Sequence, residues 1–156
     1  MEQQSRRGLL KNAAIAAAAV GSAAVLSETA SAKTPKLEKK SYPPPKEGAE
    51  TPLFSGAISY GNLLFLAGVG AHFQGTIEEH TKHVLDELEQ KLISAGSSMD
   101  KVLKVNVYLN DIKDWERMNT VYKGRWGTVP PVRTTVAPAG GIPGNSLVEI
   151  DLIAFI

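Results

Sequence analysis

Two short apolar runs, 54–60 and 63–67, are separated by the dipeptide Gly61-Asn62. Because Gly and Asn tolerate the positive φ angles of tight turns, this pattern predicts a β-hairpin. The stretch GVGAHFQG at 68–75 follows the second run. Its glycines and the absence of apolar periodicity predict a loop.

From Thr76 onward the apolar residues repeat with the period of an α-helix. One stripe holds Ile77, Val84, Leu85, Leu88 and Leu92. Charged residues occupy the opposite side, and Gly96 stands where such a helix would end. The pattern predicts an amphipathic helix that buries its apolar stripe against the rest of the domain.

Residues 101–109 alternate between apolar and polar side chains, as in a half-buried strand. The apolar positions are Leu103, Val105, Val107 and Leu109. Asp111 or Asp114 can then cap a second helix. That helix is expected to carry Trp115, Met118, Tyr122 and Trp126.

Pro130 and Pro131 exclude a helix and predict an extended strand at 133–137. A final strand is predicted at 147–156, where every second residue is apolar. Its other face mixes Glu149 and Asp151 with large apolar side chains, which suits a protein interface around a polar site. The order of elements predicts an α+β fold, with one mixed sheet covered on one face by two helices. The apolar side chains of the uncovered face predict self-association.

Composition excludes several kinds of function. The chain has 156 residues, with 17 basic and 16 acidic side chains, so no net charge favours nucleic acid as a partner. It has no cysteine, which excludes a disulfide framework, a thiolate zinc site and a cysteine nucleophile. His72, His80 and His83 are expected to be exposed to solvent, and no metal site is predicted.

The N-terminal region differs in composition from the rest of the chain. Arg6 and Arg7 precede an apolar, alanine-rich run at 13–26, and Ala-Ser-Ala follows at 30–32. This arrangement resembles a twin-arginine export signal, which predicts a signal peptide at 1–32 and a periplasmic or exported protein. The alternatives are a cytoplasmic protein with an N-terminal helix, or a membrane anchor. The run is too short and too rich in alanine and glycine for a stable membrane span.

The signal is predicted to be followed by a flexible, polar and proline-rich tether at 33–50, and then by the folded domain at 51–156. Four stretches of that domain are similar to the YjgF/RidA family of reactive-intermediate deaminases. They are GNLLFLAG (61–68), AGSSMDKVLKVNVYLNDIKDWERMNTVY (95–122), PPVRTTV (130–136) and IPGNSLVEIDLIA (142–154). The resemblance implies a chorismate-mutase-like fold that assembles as a homotrimer around a central barrel, with a site in each cleft between subunits. It also implies hydrolysis of enamines and imines such as 2-aminoacrylate to 2-keto acids and ammonia, without a cofactor.

The resemblance assigns the substrate carboxylate to Arg133, whose planar guanidinium can offer two parallel donors. Backbone groups at Thr134 and Thr135 would hold the imine nitrogen or a water molecule. From the residues alone, an ion pair of Arg133 with Glu149 or Asp151 in the assembled trimer is the alternative.

By the same resemblance, Glu149 would position a water molecule for attack on the imine carbon. Phe54 and Ser55 would line the site. The chain departs from the family pattern at Thr135, where many members have cysteine, at Phe54 in place of tyrosine, and in the loop at 67–71. A non-catalytic trimer that binds small carboxylates is therefore the second interpretation, and an endoribonuclease is the third.

Overall fold

The computed structural model describes residues 36–156. Six strands form one mixed sheet in the order β1-β2-β3-β6-β4-β5. Neighbouring strands are antiparallel, except that β5 runs parallel to β4. The strands are β1 (Lys39–Tyr42), β2 (Ala57–Tyr60), β3 (Leu63–Gly70), β4 (Val102–Leu109), β5 (Val132–Val136) and β6 (Val148–Phe155).

Two helices, α1 (Ile77–Ser94) and α2 (Trp115–Tyr122), complete the fold. Helix α1 packs on β3 and β6, and α2 packs on α1. The predicted α+β fold, a single mixed sheet with two helices on one face, is confirmed. The helix-covered face holds the core, including the fully buried Leu64, Leu88, Val105 and Ile150.

Helix α1 has the buried stripe that the sequence predicts, since all five of its predicted apolar residues are at most 1% exposed. Thr76 and Glu79 form a reciprocal capping box at its start, in which each side chain accepts from the other residue's backbone N–H. Gly96 follows the last turn with a φ of 82°, a conformation that favours glycine.

The predicted hairpin forms between β2 and β3, with Gly61 at a φ of 64°. The loop predicted at 68–75 is wrong at its start, because β3 continues to Gly70. A register shift between Leu66 and Val69 lets β3 pair with the long strand β6 beyond the point where the hairpin partner ends.

A similar irregularity changes the burial pattern of β4. Leu103 is 45% exposed instead of buried, and Val102 lies in the core. The pairing of β4 with β6 shifts register at Leu103, between Val102 and Lys104, so Leu103 does not follow the alternation of buried and exposed residues. Val105, Val107 and Leu109 are buried as predicted.

The second helix is shorter than the sequence pattern suggests. It ends at Tyr122, so Trp126 lies beyond it, although Trp126 is still buried. Trp115, expected to pack, is 44% exposed. Asp111 accepts from the N–H of Lys113 and caps a short 3-10 turn that leads into the helix.

The segment predicted as a tether contains strand β1, which pairs antiparallel with β2 at the edge of the sheet. The Oη of Tyr42 lies 3.2 Å from the Oγ of Ser59. An edge strand needs only one partner, so a polar segment can form it without the apolar alternation of a central strand. The predicted signal at 1–32 lies outside the described residues. No helix within residues 36–156 is long and apolar enough to cross a membrane.

The sheet face opposite the helices carries several large apolar side chains that remain accessible. We call this surface the open face. Its apolar members are Leu63, Phe65, Val132, Val136, Ile153 and Phe155. Exposed large apolar side chains interspersed with polar ones such as Asn106 and Asp151 are typical of an interaction surface.

Candidate functional site

Arg133 is a half-buried cation on the edge strand β5. Its register partner on β4 is Val105, a core residue, so its side chain leaves the sheet on the side of the helices. The Nη1 of Arg133 donates to the Oδ1 of Asn119 at 2.8 Å. The guanidinium carbon also lies 4.5 Å from the centre of the Tyr122 ring. Helix α2 therefore holds the guanidinium by a hydrogen bond and by a cation–π contact.

Both of these partners are neutral. Within residues 36–156 of one subunit, Arg133 forms no ion pair. The Oδ1 of Asp151, one of the alternative partners, accepts instead from the Nδ2 of Asn106 at 2.8 Å. A half-buried guanidinium with an uncompensated charge and several free donors can bind an anionic group that offers two oxygens.

Glu149 lies on β6 and belongs to the open face, where its register partners are Tyr108 and Gly70. Its carboxylate lies against the backbone of Gly68, because a Cβ added there would come within 2.1 Å of Oε1. Glu149 and Tyr108 line a cavity of about 170 Å³ with four loop residues, Pro138, Gly141, Ile142 and Pro143. The carboxylate thus has a defined position beside a small space.

Tyr108 adds a hydroxyl group to this cavity. Burial raises the pKa of Tyr108; the negative charge of Asp151 and a hydrogen bond to it raise the pKa further, and the charge of Glu149 contributes least. The hydroxyl is therefore protonated at neutral pH and can donate a hydrogen bond.

The two threonines after Arg133 point to opposite faces of the sheet. Thr134 is exposed on the open face, and Thr135 points toward the helices. Among the described residues the Oγ1 of Thr135 is buried without a hydrogen-bond partner. Strand β5 is an edge of the described sheet, so one side of its backbone has no partner strand within residues 36–156 of one subunit and is available to a ligand or another chain.

Phe54 and Ser55 precede β2, at the other end of the sheet. Phe54 is 68% exposed. Both residues line a larger open cavity of about 710 Å³ with the segment around Pro43–Pro45. Because β3, β6 and β4 separate β2 from β5, the two strands are roughly 19 Å apart.

One subunit therefore does not bring the predicted site residues together. Arg133 and Glu149 lie on opposite faces of the sheet, and β4 lies between their strands. Phe54 and Ser55 precede β2, which one strand separates from β6 and three strands separate from β5, so in one subunit they lie far from Arg133. If these residues share a site, a second copy of the chain has to complete it.

The histidines differ from expectation at one position. His72 and His83 are exposed, but His80 is only 1% exposed. Its Nε2 lies 2.9 Å from the carbonyl oxygen of Phe73, and its Nδ1 accepts from the N–H of Leu147 at 3.1 Å. The ring connects the segment after β3 to the start of β6, which explains its burial. Within residues 36–156, no three His, Cys, Asp or Glu side chains are grouped closely enough to hold a metal ion.

Three residues of the candidate site were not singled out by the sequence pattern: Gly68, Tyr108 and Asn119. Asn119 and Tyr122 are three apart on a helix, a spacing that places them on one face, but their common contact on β5 depends on tertiary packing. Tyr108 meets Glu149 only through the register between β4 and β6.

Comparison with known proteins gives a consistent result. The family model described as Endoribonuclease L-PSP matches residues 47–156. A RutC family protein of Pyrococcus horikoshii is 37% identical over 118 residues, which cover 70% of this chain and 93% of that protein. Reactive Intermediate Deaminase A, a chloroplastic protein of Arabidopsis thaliana, is 31% identical over 108 residues, covering 65% of this chain and 57% of that protein.

Among solved structures, a member of the YjgF protein family from Neisseria meningitidis superposes with a TM-score of 0.62 at 31% identity. The match covers 68% of this chain and 89% of that chain. A Rid family protein from Yersinia pestis has a TM-score of 0.65 at 28% identity, covering 69% of this chain and 91% of that chain.

Proposed function

We propose, since this chain belongs to the Endoribonuclease L-PSP family of YjgF/RidA proteins, that it hydrolyses small enamines and imines that carry a carboxylate. The expected substrates are of the 2-aminoacrylate type, and the products are a 2-keto acid and ammonia. One relative at 31% identity is named a reactive intermediate deaminase. The observation that carries the proposal is the half-buried Arg133, whose partners in the subunit are both neutral.

Arg133 would hold the substrate through its carboxylate. Two oxygens of the ligand would accept from guanidinium N–H groups that are not used by Asn119. The free backbone edge of β5 at Thr134 and Thr135 would hold the imine nitrogen or a water molecule. Because the substrate and the water would be held in a fixed orientation, the attack of the water on the imine carbon would cost less entropy.

Glu149 would accept a proton from the attacking water as the oxygen bonds to the imine carbon. With the imine nitrogen protonated at the start, this addition would give a neutral carbinolamine. Its nitrogen would take the proton back from Glu149, the carbon–nitrogen bond would break, and the leaving ammonia would accept the hydroxyl proton as the carbonyl forms. Tyr108, which lines the same cavity as Glu149, would help to hold this water by donating a hydrogen bond from its hydroxyl. A hundredfold acceleration requires only about 2.7 kcal/mol of barrier reduction, which positioning and one general base can supply.

The protein would act as a homotrimer, with the open faces of the three sheets buried around a central barrel. The apolar side chains of the open face support this assembly, because they have no cover within residues 36–156 of one subunit. Each site would combine Arg133 of one subunit with Glu149 of its neighbour, since one subunit directs them to opposite faces. Phe54 and Ser55 would line the same cleft.

The experiment that tests this proposal measures 2-keto acid formation from enzymatically generated 2-iminopropionate, with and without the protein. We expect faster formation with wild type and no acceleration with Arg133→Ala at unchanged oligomeric state. An active, trimeric Arg133→Ala protein would show that Arg133 does not bind the substrate. Glu149→Gln should slow turnover while leaving the binding of pyruvate, a product 2-keto acid, intact.

The same experiment distinguishes the other interpretations. A non-catalytic carboxylate-binding trimer would bind pyruvate without accelerating hydrolysis of any amino-acid-derived imine. The family description includes the word endoribonuclease. However, 17 basic residues against 16 acidic ones provide no net charge to attract RNA, which makes RNA cleavage the weaker candidate.

We also propose export of the protein by the twin-arginine pathway, on the pattern of residues 1–32. Replacement of Arg6 and Arg7 by lysine should leave the precursor in the cytoplasm, while wild type is processed and recovered from the periplasm. Equal processing of both proteins would contradict the proposal.

A further inference from the structure

We infer that Asn119 is a positioning residue for Arg133, and that Asn119 and Tyr122 together form a neutral cradle that orients the guanidinium without neutralising it. The inference rests on the proposed function, because the charge left free in this way is the one that would bind the substrate carboxylate. It also adds a residue of α2 to a site otherwise built from strands.

The geometry of the cradle is specific. Asn119 and Tyr122 lie three residues apart on α2 and contact two different parts of the same guanidinium. The Oδ1 of Asn119 accepts from Nη1 at 2.8 Å, and the Tyr122 ring lies 4.5 Å from the guanidinium carbon. One contact restricts the rotation of the guanidinium in its plane, and the other sets the orientation of that plane. An arginine with such partners loses less conformational freedom when it binds a ligand.

The cradle is itself held in place. Tyr122 is buried and packs its ring against the buried Trp126, at 4.8 Å between ring centres. Arg117, on the same helix, donates from Nε and Nη2 to the two carboxylate oxygens of Glu78 on α1, at 2.8 and 2.7 Å. The bidentate ion pair joins α2 to α1, and the aromatic contact packs Tyr122 against the buried segment that follows the helix. The position of Arg133 therefore depends on α2 and not only on its own strand.

The choice of asparagine distinguishes a functional role from a structural one. An aspartate has almost the same size and shape and would accept the same hydrogen bond, with the added attraction of an ion pair. For stability alone, aspartate would therefore serve at least as well at this half-buried position. For carboxylate binding it would be unfavourable, because the second carboxylate would compete for the donors and cancel the charge.

The test compares full-length wild type with Asn119→Asp. Three quantities are measured for each: the thermal unfolding midpoint, the dissociation constant of pyruvate by calorimetry, and kcat and KM for 2-iminopropionate hydrolysis. We expect an unfolding midpoint equal to or above that of wild type. We also expect pyruvate affinity to fall at least about tenfold, and KM to rise by a similar factor.

Asn62→Asp is the matched control, because it adds the same charge at an exposed turn of the β2–β3 hairpin. It should leave pyruvate affinity unchanged. Tyr122→Leu provides a second variant, since it removes the ring that stacks on Arg133. It should weaken pyruvate binding, whereas Tyr122→Phe, which keeps the ring, should not.

Suppose that wild type binds pyruvate and is active, and that Asn119→Asp binds pyruvate with the same affinity. This result would overturn the role of Asn119 and leave the proposed function intact. The opposite result is also distinguishable. If wild type binds pyruvate and Asn119→Asp does not, but neither accelerates imine hydrolysis, the cradle stands and the hydrolase proposal fails. A wild type that neither binds pyruvate nor accelerates imine hydrolysis would overturn both.

Discussion

A single methyl group added at Gly68 tests the position of Glu149. The backbone of Gly68 has no positive φ, so alanine there introduces no backbone strain. Its Cβ, however, would lie 2.1 Å from Oε1 of Glu149 and 2.9 Å from the carboxylate carbon. Both distances are well below van der Waals contact, so the carboxylate has to move.

The size of that movement sets the expected effect. A carbon and an oxygen in ordinary contact are roughly 3.3 Å apart, so Oε1 has to shift by about 1 Å or more. A misplacement of about 1 Å at a reacting centre costs on the order of a hundredfold in rate. The same shift costs little stability, because the displaced atoms are the end of a flexible side chain. We expect a change of less than about 1 kcal/mol in the free energy of unfolding.

The assay combines 2-keto acid formation with urea unfolding of wild type and Gly68→Ala. Gly140→Ala is the control, because a Cβ there meets nothing within 4 Å and the residue has no positive φ. Gly140→Ala should keep wild-type turnover, and Gly68→Ala should lose about a hundredfold in kcat at nearly wild-type stability. If Glu149→Gln slows turnover but Gly68→Ala keeps the full wild-type rate, the placement of Glu149 against Gly68 is wrong.

Two further predictions concern Tyr108 and Asp86. Tyr108 lines the cavity beside Glu149, and Tyr108→Phe keeps its ring but removes its hydroxyl, so kcat should fall roughly tenfold or more at unchanged KM. Wild-type kcat would exclude Tyr108 from the chemistry. The hydrogen bond from Lys82 holds the pKa of Asp86 below its usual value, with a further contribution from Arg125. Stability from this lowered pKa is present above about pH 4 and is lost as the pH falls through the folded-state pKa. Asp86→Asn should therefore lower the urea midpoint at pH 7, and the difference from wild type should shrink below pH 4; a difference independent of pH would contradict this assignment.

The elements that the sequence predicts well are those whose signal lies within one segment. The buried stripe of α1, the Gly61 turn and the alternation of β6 each need only a dozen or so neighbouring residues to form a pattern. Burial confirms the α1 stripe and the β6 alternation, as for Leu88 and Ile150, and the pairing of β2 with β3 confirms the turn. The α1 stripe and β6 pack against each other at the centre of the fold, and the turn sets the pairing of β2 with β3, which is why the fold class follows from these elements.

The errors arise where pairing between distant segments decides the outcome. Leu103 is exposed because β4 slips by one residue against β6, and no local pattern encodes that shift. Lys39–Tyr42 joins the sheet because β2 has a free edge to receive it. His80 is buried because Phe73 and Leu147 satisfy both ring nitrogens.

The candidate site follows the same rule. The family motifs point to Arg133 and Glu149 as candidates, and the structure shows the neutral partners of the first and the close contact of the second with Gly68. The sequence does not indicate that the two side chains leave opposite faces of one sheet. This arrangement makes a neighbouring subunit necessary to the proposed site.

The most direct test of a site shared between subunits is complementation of Arg133→Ala by Glu149→Gln. The two inactive or slow proteins are unfolded, mixed in equal amounts and refolded into mixed trimers. A site is intact where a subunit with Arg133 meets a neighbour with Glu149, which random mixing produces in about a quarter of the clefts. We expect imine hydrolysis to recover to about a quarter of the wild-type rate. Activity that stays at the mean of the two parent proteins, in trimers shown by mass spectrometry to be mixed, would contradict it.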